Sequence, residues 1–327
     1  MFKISLKNNK SFICDSKSTI FEAAKNNNII LEHSCLSSRC RSCIVKVTSG
    51  STINKEDEFV LSDNDKNQNF VLSCNAKPLS DLELDVEDLG NVKLFDKKII
   101  PSKINSIEKL TDDVVKVTLR IPPNSNFEFN SGQYINLING STIRSYSIAN
   151  CSNHNNQLEF FIKKYTNGIM SKYLFEKAKN NDLLRLEGPL GTFFLRQSHV
   201  KNIVFLATGT GVAPVKSIMD DIEESHQQYQ NKNLWIFVGA KYKNDLFWKP
   251  NSSKLKINYI PVLSREENWE GEKGYVQDIV IKHQIDLKDT QVYACGSNDM
   301  IISAKDLLCK NNLKEINFFS DAFVQTN

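Results

Sequence analysis

Cys35-Leu-Ser-Ser-Arg-Cys40-Arg-Ser-Cys43, with Cys74 far downstream, is the stretch on which the reading of the chain turns. Three thiols from one tight loop and a fourth from a distant segment are what a [2Fe–2S] cluster needs: four thiolates around two irons. Backbone N–H groups aimed at the sulfurs then set the potential. The competing reading is a structural zinc site. Zinc usually takes two paired C-x2-C knuckles, and here only Cys40 and Cys43 are so paired. His33 stands near the loop, but not at the spacing of a His-ligated Rieske centre, and reads as an ordinary polar residue. Cys14, Cys151 and Cys309 fall outside the pattern and read as small buried hydrophobes.

The surrounding chain has 327 residues, 40% of them hydrophobic and 24% charged. That is a globular composition, too long for one core and suited to two or three domains. Its formal charge of +3, from 41 basic and 38 acidic side chains, gives no electrostatic reason to propose a nucleic acid as partner. No apolar run approaches the ~20 residues of a membrane span. Lys3, Lys7 and Lys10 interrupt the N-terminus before a signal-peptide apolar segment can form. The chain reads as cytoplasmic, where thiols stay reduced.

Three textures follow one another. Up to about residue 93 there are short strands (Phe2 to Leu6, Ser11 to Cys14, Ile44 to Val47) and a helix opening at Ser18, with Glu22 placed for a capping box. Asp81 to Glu87 alternates apolar and acidic residues, the pattern of a strand with one solvated face. Asn91 to Lys103 is polar and lysine-rich and reads as a linker. A second domain, 94–197, carries strands over Val114 to Ile121, Tyr134 to Ile138, Ser145 to Ile148 and Leu158 to Ile162, separated by turn residues. One helix, Ile169 to Lys179, interrupts what reads as an antiparallel barrel. In the third, 198–327, fully apolar strands (Ile203 to Ala207, Leu234 to Val238, Ile257 to Val262, Gln291 to Ala294) alternate with helical patterns, as in an open parallel α/β sheet.

Two further motifs fall on these elements. Arg144-Ser-Tyr-Ser147 lies at a strand end, after Gly132-Gln-Tyr-Ile and before Gly168-Ile-Met-Ser171 at a helix start. An aromatic beside an isoalloxazine, with a hydroxyl near its N5, would place and tune a flavin. The helix start can hold a pyrophosphate on its free amides. Ala207-Thr-Gly-Thr-Gly-Val-Ala-Pro214 joins an apolar strand to a helix, and Gly209 and Gly211 let backbone approach a second pyrophosphate. Tyr293-Ala-Cys-Gly296 closes the last of those strands at the carboxyl edge, where ligands of such sheets bind. Cys295 there is either a neighbour of the nicotinamide or a buried core thiol.

Taken together, the motifs resemble the ferredoxin–NADP+ reductase superfamily with a fused plant-type ferredoxin at the N-terminus. RSYS, GIMS, GPLGTF, GTGVAP, YACG and FFSDAF occur in that family's order. The resemblance implies a β-grasp ferredoxin domain, an antiparallel FAD barrel and a parallel α/β nicotinamide-dinucleotide domain, with the cluster on Cys35, Cys40, Cys43 and Cys74. By family likeness Arg144 meets the FAD pyrophosphate with Gly168 and Ser171, Tyr146 stacks on the flavin and Ser147 faces N5. Gly209, Thr210 and Gly211 take the nicotinamide dinucleotide, Cys295 and Gly296 lie near hydride transfer, and Phe323 covers the flavin.

Within the superfamily the stretches resemble the reductases of 3,6-dideoxyhexose synthesis for surface polysaccharide. That likeness implies FAD, a [2Fe–2S] cluster, NADH as donor and a pyridoxamine-dependent sugar-nucleotide dehydrase as electron-accepting partner. Reductase components of dioxygenases and monooxygenases share the same modules, and a redox-sensing module would keep the same cofactors. Arg265, after the third apolar strand, could pair with a 2′-phosphate, which keeps NADPH possible. The cluster loop departs from the family at Leu36, Ser38 and Arg41, where small residues or glycines are frequent. Ser38 must then accept a backbone conformation that glycine usually supplies.

Overall fold

Alternating apolar residues at the N-terminus build a hairpin. In β1 (Phe2–Leu6) and β2 (Ser11–Cys14), Ile4 pairs with Phe12 and Phe2 with Cys14. The computed structural model describes residues 1–90, 92–153 and 155–323, and the chain divides into two units, Met1–Lys93 and Leu94–Asn327. Helix α1 (Ile20–Asn26) is capped by Thr19, whose side chain accepts from the Glu22 N–H while Glu22 returns to the Thr19 N–H. The expected cap, Ser18, is instead drawn into a turn by Asp15, whose carboxylate accepts both its N–H and its hydroxyl.

The first unit continues through β3 (Ile44–Ser49), β4 (Thr52–Asn54), α2 (Asp63–Asn67), β5 (Phe70–Leu72), β6 (Ala76–Pro78) and β7 (Leu82–Leu84). Its five-stranded sheet has the order β2-β1-β7-β3-β5, with β1 and β7 parallel, and β4 pairs with β6. Ile20, Ala23 and Ala24 of α1 pack on Ile4, Leu6 and Phe12, the β-grasp arrangement. The acidic stretch is strand only over β7. Asp85 after it is met from within the unit by Lys7 at 2.9 Å, and the nearly buried Asp88 just beyond by Lys10 at 2.7 Å.

In the second unit β8 (Lys98–Lys109) occupies half of the expected linker, because Ile100, Ser102 and Ile104 all point inward. Asn91 lies outside the described residues. The barrel continues with β9 (Val114–Arg120), β10 (Tyr134–Asn139), β11 (Thr142–Ser147), β12 (Gln157–Lys163), α3 (Ile169–Glu176) and β13 (Leu183–Leu190), in the order β11-β10-β13-β8-β9-β12. The Ala149 N–H donates to the Glu159 carbonyl at 2.7 Å, joining the end of β11 to β12. Helix α3 stops three residues short of the expected Lys179, because Asp182 takes the Lys179 N–H and the Tyr173 hydroxyl.

The last layer comprises β14 (Asn202–Thr208), α4 (Val212–Glu224), β15 (Asn233–Ala240), β16 (Ile257–Leu263), β17 (Glu272–Lys273), α5 (Val276–Lys282), β18 (Thr290–Gly296), α6 (Asn298–Lys310) and β19 (Phe318–Ala322). The sheet order is β17-β16-β15-β14-β18-β19, every pair parallel. Strands added after β14 go to one side, and β18 with β19 to the other. The direction of winding therefore reverses between β14 and β18, where open α/β sheets form a ligand crevice.

Candidate cofactor sites

The cysteine loop leaves α1 and turns through two left-handed residues, Leu36 (φ 49°) and Ser38 (φ 57°). The expectation at Ser38 holds, and Leu36 shares its strain. Among the described residues, no three or more His, Cys, Asp or Glu side chains converge on a single ion. The four thiols form two pairs. Cys43 Sγ donates to Cys74 Sγ at 3.2 Å, and Cys40 donates to Cys35. Those bonds hold Cys35 and Cys74 below the ordinary thiol range, while the same bonds, with burial, raise Cys40 and Cys43. Backbone amides face the sulfurs, the Ser37 N–H donating to Cys35 Sγ at 3.4 Å. Four soft thiols with amides directed at sulfur fit a two-iron cluster, which they would hold. All eight cysteines are free. His33 is absorbed structurally, its Nδ1 2.9 Å from the Leu31 carbonyl and its ring 4.8 Å from that of Phe21.

Along β11 the side chains alternate. Thr142, Arg144 and Tyr146 are half-buried, Ile143 and Ser145 exposed, and Ser147 is buried at the strand's end. Tyr146 packs on the barrel core, which includes Met170 and Leu174 of α3, and burial raises its phenol well above the ordinary range. The Arg144 Nη1 donates to the Ile143 carbonyl at 2.8 Å, and the guanidinium stays partly exposed. Gly168 caps α3, and a Cβ there would lie 2.4 Å from Ser171 Oγ. The Ser171 hydroxyl donates to the Gly168 carbonyl at 3.0 Å and accepts the Tyr165 N–H at 3.2 Å. It therefore shapes the loop around the helix start, whose first-turn amides have no intrahelical partner and favour an anion.

At the sheet's switch point, Gly209-Thr210-Gly211 forms a 3-10 turn leading into α4. A Cβ on Gly211 would lie 2.3 Å from the Cys295 carbonyl oxygen, and one on Gly296 would lie 2.1 Å from Thr208 Oγ1. The two loops thus meet backbone to backbone. Cys295 is wholly buried, its thiol pushed far up first by burial and then by Asp321. The Phe323 N–H donates to the Gly296 carbonyl at 2.8 Å, and its ring packs with the cluster around Tyr293 and Cys295. Gly209, Thr210, Gly211, Cys295, Gly296 and Phe323 are therefore one neighbourhood. Arg265 lies apart, exposed at the carboxyl edge beyond β16, its N–H on the Lys241 carbonyl at 3.0 Å. Thr208, which locks against Gly296, and Tyr293, whose hydroxyl accepts the Arg196 N–H at 2.8 Å, lie within the Ala207–Pro214 and Tyr293–Gly296 stretches, but the motifs give neither of them a role of its own.

Comparison with known proteins accounts for all three regions. Residues 5–79 match the 2Fe-2S iron-sulfur cluster binding domain, 101–195 the oxidoreductase FAD-binding domain and 205–315 the oxidoreductase NAD-binding domain. The chain is 39% identical over 315 residues to the CDP-6-deoxy-L-threo-D-glycero-4-hexulose-3-dehydrase reductase of Yersinia pestis, covering 96% of this chain and 95% of that one. It is 36% identical to protein RfbI of Salmonella typhimurium over 94% of this chain and 92% of that one. The crystal structure of the Amycolatopsis cytochrome P450 reductase GcoB has the same fold, with a TM-score of 0.72 at 20% identity and 99% of each chain covered. The chain is an oxidoreductase with FAD-binding, NAD-binding and [2Fe–2S] domains, and among its described residues no helix is long and apolar enough to cross a membrane. It belongs to the ferredoxin–NADP+ reductase superfamily, in the branch with an N-terminal plant-type [2Fe–2S] domain.

Proposed function

We propose that this chain is the NADH-dependent reductase that supplies electrons to the dehydrase of CDP-3,6-dideoxyhexose synthesis. The observation that carries the reading is the near full-length 39% identity to a reductase named for such a dehydrase. When bound, FAD takes a hydride from the nicotinamide as two electrons, and the [2Fe–2S] cluster hands electrons on singly. In this reading Arg144 and the first turn of α3 neutralise the FAD pyrophosphate, with Gly168 and Ser171 shaping that turn. Tyr146 covers the flavin ring, and Ser147 offers its hydroxyl near the reacting nitrogen. Gly209, Thr210 and Gly211 admit the dinucleotide backbone, and Cys295, Gly296 and Phe323 wall the nicotinamide side and keep water out. Cys35, Cys40, Cys43 and Cys74 hold the cluster. Arg265, exposed at the sheet edge and followed by Glu266, which is turned back onto the Lys243 N–H, supplies no preformed anion clamp. We therefore take NADH as the donor, and a higher kcat/KM with NADPH would reverse that choice.

The test is reconstitution. With a pyridoxamine-dependent CDP-6-deoxy-L-threo-D-glycero-4-hexulose-3-dehydrase and its substrate, NADH oxidation should require all three components. No turnover with the dehydrase, but turnover with the terminal component of an oxygenase, would move the chain to the oxygenase reductases. Failure to turn over NADH even with an artificial acceptor, while the cofactors stay bound, would make it a sensor.

A further inference from the structure

The hairpin of β10 and β11, which carries Arg144, Tyr146 and Ser147, has two open ends. One is the turn at Gly132, just before β10; the other is Asn150, just after β11. A single side chain from the nucleotide domain reaches both. Ser217, fully buried on α4, accepts the Gly132 N–H at 3.2 Å and donates its hydroxyl to the Asn150 carbonyl at 2.7 Å. Helix α4 starts directly from Gly209-Thr210-Gly211, so Ser217 is rigidly connected to the dinucleotide turn less than two helical turns away.

The Gly132 turn is itself tightly built. Its φ is +106°, and a Cβ there would lie 2.4 Å from the Phe193 carbonyl oxygen and 3.0 Å from Ile218 Cδ1. Gln133 ties the same turn to the barrel, donating from its side chain to the Gly191 carbonyl at 2.7 Å and accepting the Asn130 N–H at 2.8 Å. The hydroxyl thus links the Asn150 backbone to a turn that is already tightly held, and buried N–H and C=O groups leave their partners only at a cost.

We infer that Ser217 is a positioning residue for hydride transfer: its one hydroxyl fixes the hairpin holding the flavin against the turn holding the nicotinamide. It touches neither cofactor. Its effect is on distance, and a shift of about 1 Å between reacting partners can cost about 10²-fold in rate. The inference rests on the proposed roles of the Arg144–Ser147 strand and the Gly209–Gly211 turn.

The experiment uses the full chain loaded with FAD and cluster. In Ser217→Ala, the limiting rate of flavin reduction at saturating NADH should fall at least tenfold. FAD content and the half-saturating NADH concentration should stay at parental values, and exchange of the Gly132 amide with deuterium should accelerate. Ser217→Cys keeps the volume and a weak donor, so it should fold and fall between the two. An unchanged limiting rate in either variant, with or without a lower melting temperature, would reduce Ser217 to a packing residue. So would a rate loss that merely follows FAD loss. Tyr146→Ala, run alongside, separates the two readings. If it leaves flavin reduction at the parental rate, the assignment of the strand fails and this inference with it. If it impairs reduction while Ser217→Ala does not, only the inference about Ser217 fails.

Discussion

Arg41 stands between Cys40 and Cys43, the proposed cluster ligands, where the resemblance leads one to expect a small residue, and the structure shows what answers it. Its guanidinium forks onto Asp65 at 2.8 and 2.9 Å and donates to the Val60 carbonyl at 2.7 Å. Asp65 also closes the capping box of α2 with Ser62. The fork, more than any other contact, holds the Asp65 carboxyl far below the usual carboxylate range. A group whose folded pKa is depressed contributes stability above its unfolded value of about 3.9, and that contribution fades as pH falls through the folded value. We therefore expect a coupling of about 1–2 kcal/mol between Arg41→Ala and Asp65→Asn in a double-mutant cycle at pH 7. It should be read from thermal unfolding of the cluster-bearing unit and shrink as the pH drops below about 4. A coupling that stayed constant with pH would mean the pair packs without acting as charges. The strain at Ser38 could be foreseen because it is local, a side chain where glycine is usual. The partner of Arg41 could not, since nothing in the loop's spacing points to an aspartate on a later helix.

The turn after β14 separates two effects that look alike in sequence. Gly209 has φ +55° and open space, with no atom within 4 Å of where a Cβ would sit, whereas Gly211 has ordinary φ and a carbonyl 2.3 Å from the same point. Gly209→Ala should cost only backbone strain, about 1 kcal/mol. Gly211→Ala must push the Cys295 strand end away and should weaken NAD+ binding at least tenfold while leaving FAD content intact. Titration with NAD+ against the two variants checks this, and equal losses would show that the contact with Cys295 is unimportant. Elements with a clear pattern were readable, by alternation at β1 and β2 and by a continuous apolar run at β14. Those overridden by neighbours were not. Lysines hid the inward Ile100 and Ile104 of β8, and charged Arg185 and Glu187 disguised β13. Asp15 moved the cap of α1 from Ser18 to Thr19, and β19 exists because β18 offers it an edge. Gly209, Gly211 and Cys295 could be read as motifs; the contact of Gly211 with Cys295 needed the sheet order.

The division at Lys93 and Leu94 gives the whole chain a testable modularity. The first unit has its own core, with Ile4, Phe12, Ile20 and Leu82 buried together, and the second begins its barrel at Lys98. Lys97 already belongs to the latter through its ion pair with Glu187 at 2.7 Å. Units with separate cores joined by a short polar segment can fold apart. A chain from Leu94 to Asn327 should therefore keep FAD, show one cooperative thermal transition and reduce ferricyanide with NADH, since that dye accepts electrons from flavin directly. It should fail to support the dehydrase, because Cys35, Cys40, Cys43 and Cys74 have gone with the first unit. Cys40→Ser in the full chain should give the same split, with dye reduction kept, dehydrase turnover lost and the iron–sulfur absorbance absent. The two variants remove the cluster by unrelated routes, one by deleting a unit and the other by deleting a sulfur. Agreement between them would locate the electron exit at the cysteine loop. If the shortened chain drove the dehydrase as well as the intact one, the exit would lie in the flavin unit and the proposed route would be wrong.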